Sequence, residues 1–178
     1  MAIGLQVEKD ELEKLIYRLL SFSPNRIEKS EFLQKAGIEI EDLEGYIDEM
    51  FKLSIKNSDD DALSCAMILF HTFHLPRNIV KKLSPLLRKK WHNQHEDIID
   101  LIKDSTYIRG AEDIYWVALH PPSFKYKLDQ EVVSEKAIYA LSALADERSV
   151  QYLKEIAKSK NKRIRKSAEE RLREIGEA

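Results

Sequence analysis

Val133-Ser-Glu-Lys-Ala137-Ile-Tyr-Ala-Leu141-Ser-Ala-Leu144 can be laid over Ile164-Arg-Lys-Ser-Ala168-Glu-Glu-Arg-Leu172-Arg-Glu-Ile175. Val133 then falls on Ile164, Ala137 on Ala168, Leu141 on Leu172 and Leu144 on Ile175, at a constant offset of 31 residues. Small and apolar residues recurring at a fixed period of this size mark a repeat built from one supersecondary unit. Between the copies, Val150-Gln-Tyr-Leu153-Lys-Glu-Ile156-Ala157 spaces its apolar residues by three and four, as one face of a helix does. Each unit is therefore expected to hold two short helices. Asp146-Glu147-Arg148-Ser149 supplies one turn and N-cap, and Lys158-Ser-Lys-Asn161 the next.

Working back toward the N-terminus, His95-Glu-Asp-Ile98-Ile-Asp-Leu101-Ile102 and Ala111-Glu-Asp-Ile114-Tyr-Trp-Val117-Ala118 form a further pair. Ile98, Ile102, Ile114, Val117 and Ala118 match Ala137, Leu141, Leu153, Ile156 and Ala157 at an offset of 39, and the excess of eight is assigned to the loop Leu119 to Lys127. Insertions in repeat arrays collect on one face, often the binding face. Ser84-Pro85 predicts a kink or a fresh helix start after Ile79, because proline removes a helical N–H. The apolar run Ala62 to Phe70 reads as a helix covered on nearly every side, with Cys65 a small buried hydrophobe within it.

The first 57 residues differ in character. Leu12, Leu15, Ile16, Leu19 and Leu20 predict a helix from Lys9 to Ser21, and a second runs from Ile27 to Ala36 with Gly37 closing it. A third starts near Glu41 and is expected to bury Leu43, Tyr46, Ile47, Met50, Phe51 and Leu53. Asn57-Ser-Asp-Asp-Asp61 breaks the pattern, so the parts expected are 1–57, an acidic helical region, and 58–178, the repeats, within one continuous domain.

With five glycines, five prolines and 34% charged residues among 178, the composition suits a helical protein with a solvated outer face. Residues 1–60 carry 14 Asp or Glu against 8 Lys or Arg, while 131–178 carry 9 against 11. Ser30 to Leu43 has the form of a helix-turn-helix. Its second helix nevertheless offers Glu39, Glu41, Asp42, Glu44, Asp48 and Glu49, with no basic residue between Lys35 and Lys52. A helix in the major groove needs Lys or Arg for the phosphates, so duplex binding there is excluded. The segment is either solvated or a docking surface for a basic partner, joined by Asp59, Asp60 and Asp61.

His71 with His74, and His92 with His95, have metal-ligand spacing, but no cysteine cluster or third ligand accompanies them, and packing or turn hydrogen bonds are the expected use. No glycine-rich phosphate loop, nucleophile elbow or paired carboxylate motif is present, so the chain is expected to be a non-enzyme with no cofactor and no metal. The N-terminus lacks the pattern of a secretory signal and no stretch reaches membrane-spanning length, so a cytoplasmic location is expected, without a membrane partner. Trp116 should point away from the face set by Ile114, Val117 and Ala118, at about 100° per residue. Either Pro121, Pro122, Phe124 or Tyr126 covers it, or Tyr115 and Trp116, with Phe124 and Tyr126, form an aromatic anchor for a partner.

Ala137, Leu141, Asn161, Ile164, Arg165, Ala168 and Leu172 resemble the short, PBS-lyase-like form of the HEAT repeat. That likeness implies an all-α fold, a HEAT-like solenoid of stacked antiparallel helix pairs with an N-terminal helical extension. Trp91-His92-Asn-Gln-His95-Glu96-Asp97-Ile98 ahead of Lys136-Ala137-Ile-Tyr-Ala140-Leu141 is similar to small bacterial HEAT-like immunity proteins of contact-dependent growth-inhibition toxin systems. This implies a protein that neutralises a cognate basic toxin, such as a nuclease, by occluding its active site. Two alternatives stay open: a HEAT adaptor or assembly protein, and a DNA-binding relative of alkylation-repair glycosylases. The second leans on Lys158, Lys160, Lys162, Arg163, Arg165, Lys166, Arg171 and Arg173, which alternate with Glu169, Glu170 and Glu174.

Overall fold

A computed structural model describes residues 9–20, 22–123 and 127–177, with the backbone alone for 127–129. The described residues are helical and turn structure with no strand. They divide into two compact units, Met1–Pro76 and Arg77–Ala178.

The first unit holds α1 (Lys9–Tyr17), α2 (Lys29–Ala36), α3 (Leu43–Asn57) and α4 (Asp60–Phe73). Gly37 ends α2 at φ 67°, a left-handed position natural to glycine, and its N–H donates to the Leu33 carbonyl. Asp59 starts α4 by accepting the Ala62 N–H at 3.0 Å. The interior is made by Leu12 and Ile16 from α1, Phe32 from α2, Leu43, Ile47 and Phe51 from α3, and Leu63, Met67 and Leu69 from α4. Phe51 meets Phe70 edge-on at 6.3 Å. Because α4 packs on α1 and α3, it belongs with this unit, and the division falls at Pro76 where the sequence reading placed it after residue 57. Leu53 was expected inside. It is 48% exposed, and Ser54 occupies the inward position, its Oγ donating to the Phe51 carbonyl at 3.0 Å.

The second unit begins with a 3-10 turn at Arg77–Ile79 and the single-turn α5 (Val80–Leu83). Pro85 then carries the chain into a second 3-10 turn at Ser84–Arg88, since it offers no N–H to continue the α pattern. α6 (His95–Asp104), a 3-10 turn at Ile108–Gly110, α7 (Ala111–Leu119), α8 (Lys127–Leu144), α9 (Glu147–Ile156) and α10 (Lys162–Glu174) follow. Asp146 caps α9 by accepting the Ser149 and Arg148 N–H groups, and Asn161 caps α10 by accepting that of Arg163. α8 touches α6, α7, α9 and α10, and α7 also packs on α9. Ile98, Ile102, Ala137, Leu141 and Ala168 are all fully buried, and so are Ile114, Val117, Leu153 and Ile156. Ala137 of α8 and Ala168 of α10 are buried on helices that touch, so a longer side chain at either would overpack the interior.

His92 and His95 are buried and stacked, 4.3 Å between ring centroids. His92 Nδ1 accepts the Gln94 N–H, which leaves Nε2 to donate to the Leu86 carbonyl at 2.9 Å. His95 Nε2 meets the Lys89 carbonyl at 2.9 Å. These rings hold the irregular segment between the 3-10 turn and α6 through main-chain hydrogen bonds. Cys65 is likewise structural, since burial and the nearby Glu13 and Asp61 carboxylates push its thiol up to about 12.

Candidate partner-binding surfaces

Helix geometry gathers the acidic residues at one end of α3. Glu39 precedes a 3-10 turn, Ile40–Asp42, that runs directly into the helix. Neither Glu39 nor Asp42 uses its side chain as a cap. Glu39, Glu41, Asp42 and Glu44 are exposed, and no ion pair involves them among the described residues. Ile40 stands in their midst at 54% exposure. Part of the reason for the carboxylates is local, because negative charge at a helix N-terminus complements the aligned peptide dipoles. That effect is confined to the first turn. It accounts for Asp42 and Glu44 better than for Glu39.

Asp48 and Glu49 sit one to two turns further along and are partly neutralised by Lys52, at 3.0 and 3.2 Å. Asp60 and Asp61 lie in the first turn of α4, beside the Asp59 cap. Asp59 is held below the usual carboxylate range by the Ala62 N–H and by Lys9, whose ammonium is 3.1 Å away.

The aromatic candidates belong to the second unit. Tyr115 is half-buried and stacks flat on Tyr152 of α9, 4.4 Å between centroids at 9°. Its hydroxyl donates to Glu155 Oε2 at 2.7 Å. That hydrogen bond to a carboxylate, with partial burial, pushes the phenol up to about 12. Trp116 is half-buried and lies on His120, ring to ring at 5.0 Å, while His120 Nδ1 approaches the Trp116 carbonyl at 3.1 Å. The cover for the indole thus includes a residue one turn along its own chain, a neighbour the sequence reading did not name. Phe124 and Tyr126 lie outside the described residues.

Tyr152 and Glu155 are the residues sequence reasoning missed on this face. Glu155, an exposed residue of α9, accepts the Tyr115 hydroxyl from α7.

Four of the eight basic C-terminal residues, Arg163, Arg165, Lys166 and Arg171, are engaged in contacts within the second unit. Arg163 forks onto Glu135 at 2.6 and 3.0 Å and also reaches Glu131, Arg171 meets Glu174 at 2.6 Å, and Lys166 lies 3.8 Å from Glu170. Arg165 donates to the Ser159 carbonyl. A surface for the DNA backbone would need these cations unspent. Among the described residues no group of three or more His, Cys, Asp or Glu is arranged to hold a metal ion, and no helix is long and apolar enough to cross a membrane.

Compared with known proteins, the chain matches no family model, no curated protein and no solved structure.

Proposed function

We propose that the protein is a non-enzymatic binding module of the bacterial cytoplasm, an immunity protein that occludes the basic active site of a cognate toxin, with its repeats forming a short HEAT-like solenoid. The observation that carries the reading is the group Glu39, Glu41, Asp42 and Glu44, exposed around Ile40 without a cation against them. Such a group attracts a basic surface at long range and offers an apolar side chain at its centre for close contact. The solenoid part of the reading is supported by α6, α8 and α10 touching in succession, by α7 packing on α9, and by like burial at the repeat-matched positions other than Ala118 and Ala157. The pairing of Arg163, Lys166 and Arg171 with glutamates favours a protein partner over DNA.

Co-expression with the product of the adjacent upstream gene tests this directly. Growth should be restored by the wild-type protein when that product is toxic. The triple variant Glu39→Lys, Glu41→Lys, Asp42→Lys should slow association and weaken rescue, with the wild-type rate falling as salt rises. An association rate insensitive to both the charge reversals and salt would sink the role of this face.

A further inference from the structure

A second feature of the first unit lies apart from that face. α1, α3 and α4 leave a groove of about 290 Å³ walled by Ile16, Met50, Leu53, Ala62 and Cys65. Its lining is mostly apolar, and Leu53 stands at its edge, about half exposed. A singly exposed leucine is ordinary. A leucine at the lip of an apolar concavity is a contact surface. The volume sits at the bottom of the ~300–1,000 Å³ range of drug-sized ligand sites, so side chains suit it better than a cofactor.

The mouth of the groove has a charge sign. Lys9, Glu13 and Asp59 line it, with Lys9 3.7 Å from Glu13 and 3.1 Å from Asp59. Asp60 and Asp61 complete the turn between Asp59 and Ala62. Two carboxylates therefore line the opening against one ammonium, and Asp61, exposed in the adjacent first turn of α4, adds a further negative charge beside it.

We infer that this groove seats the apolar face of a basic amphipathic helix from the partner protein, with Leu or Phe side chains at i and i+3 or i+4 entering beside Leu53 and Met50. Lysines or arginines flanking those anchors meet Glu13 and Asp61. Helix-in-groove recognition reads this spacing, and the acidic rim selects the basic version of such a helix. The inference rests on the partner being a basic protein and adds where its apolar anchor is held.

The test is a nuclear magnetic resonance titration of the full chain with a synthetic Leu/Lys amphipathic peptide of about 18 residues, long enough to be helical once docked. A counterpart with every lysine replaced by glutamate serves as control. Amide shifts should concentrate at Ile16, Met50, Leu53 and Ala62, and the glutamate peptide should not bind. Leu53→Gln should weaken the lysine peptide about tenfold, and Asp61→Lys should weaken it with a reduced salt dependence. Should Leu53→Gln disturb the fold, intermolecular Overhauser contacts between peptide leucine methyls and Met50 in the wild type give the same answer. Shifts confined to Glu39 through Glu44, equal binding of the two peptides, or a folded Leu53→Gln variant binding as tightly as wild type would each overturn the inference. So would contacts from Ile3, Leu5 or Val7 to Leu53 in the unbound chain, which would make the chain's own N-terminal segment the occupant. If the native partner still binds in a salt-dependent way while the groove takes no peptide, the groove alone is lost. If the peptide docks while the native partner proves not to be basic, the proposed function is lost and the groove stands.

Discussion

Gly110→Ala and Gly45→Ala make the same chemical change with opposite expected signs. Gly110 is buried at the junction of a 3-10 turn and α7, with an ordinary φ of −79°, so its backbone would accept alanine. Space is the obstacle. A Cβ there would lie 2.8 Å from Ile102 Cγ2, 3.1 Å from Ser84 Oγ and 3.1 Å from Tyr107 Cδ1. Ile102 is fully buried and cannot swing away, and Ser84 is tied to Asp113 by a 2.7 Å hydrogen bond. Overpacking of this kind costs about 1 to 3 kcal/mol. Reduced freedom of the unfolded chain returns about 0.4 to 1 kcal/mol, leaving a net loss of about 1.3 kcal/mol at the midpoints of the two ranges. For a chain of this length that is a drop of about 3 to 5 °C in Tm. Gly45 sits in α3 with nothing within 4 Å of its would-be Cβ, so alanine should stabilise by about 0.5 to 1 kcal/mol. Thermal and urea denaturation of the two variants beside wild type decide the matter. A Gly110→Ala protein as stable as wild type would show that α6 can shift to admit the methyl, and the close approach of this turn to Ile102 would cease to be a packing constraint.

Ala137→Leu and Ala168→Leu should each destabilise by about 1 to 3 kcal/mol, against about 0.5 kcal/mol or less for a charge change at exposed Lys166, as read by thermal melts. Asp59→Ala should cost about 1 kcal/mol near neutral pH through loss of the α4 cap. Since the native Asp59 carboxyl is held low by the Ala62 N–H and Lys9, its contribution is present above the unfolded pKa near ~3.9 and lost as pH falls through the lower native value. The acid limb of stability should therefore be shallower in Asp59→Ala below about pH 4. Glu155→Gln should bring the Tyr115 phenol down from about 12 toward the ordinary tyrosine range in an ultraviolet titration, and an unmoved titration would dissociate the two groups.

Helical character, caps and the buried faces of the repeats were legible because each follows from spacing along one segment. Asp146 and Asn161 cap the helices they precede, and the residues paired at 31 and 39 positions share burial except Ala157, which is half-buried where Ala118 is buried. What escaped depends on elements that sequence does not place beside one another. On α3, at about 100° per residue, Ser54 falls near the centre of the arc shared by Leu43, Tyr46, Ile47 and Phe51, while Leu53 falls just outside its Tyr46 edge. Residue type favoured Leu53 as core, and angular position favoured Ser54, whose hydroxyl is satisfied by the Phe51 carbonyl. Phase decided. The same margin explains why α3 could supply both surfaces described above, since acidic residues open the helix and Leu53 edges a groove near its far end.

The excess of eight residues between repeats was assigned wholly to a loop. α8 instead spans 18 residues against 13 for α10, so part of the excess continues the helix. Its pattern hid this, because Asp129, Gln130 and Glu131 add no apolar period to extend the face of Val133, Ala137 and Leu141. Tyr115 over Tyr152 was hidden for a related reason. Residues that match between repeats sit at equivalent places on their own helices, but a stack across the crossing joins residues that do not match, and the 39-residue register sets Tyr152 opposite Asp113 instead. Repeat alignment therefore recovers what each helix buries and passes over what neighbouring helices exchange at their exposed edges. Tyr115, Tyr152 and Glu155 lie at such an edge, where a stack and a hydrogen bond join α7 to α9 through residues that no spacing along either helix singles out.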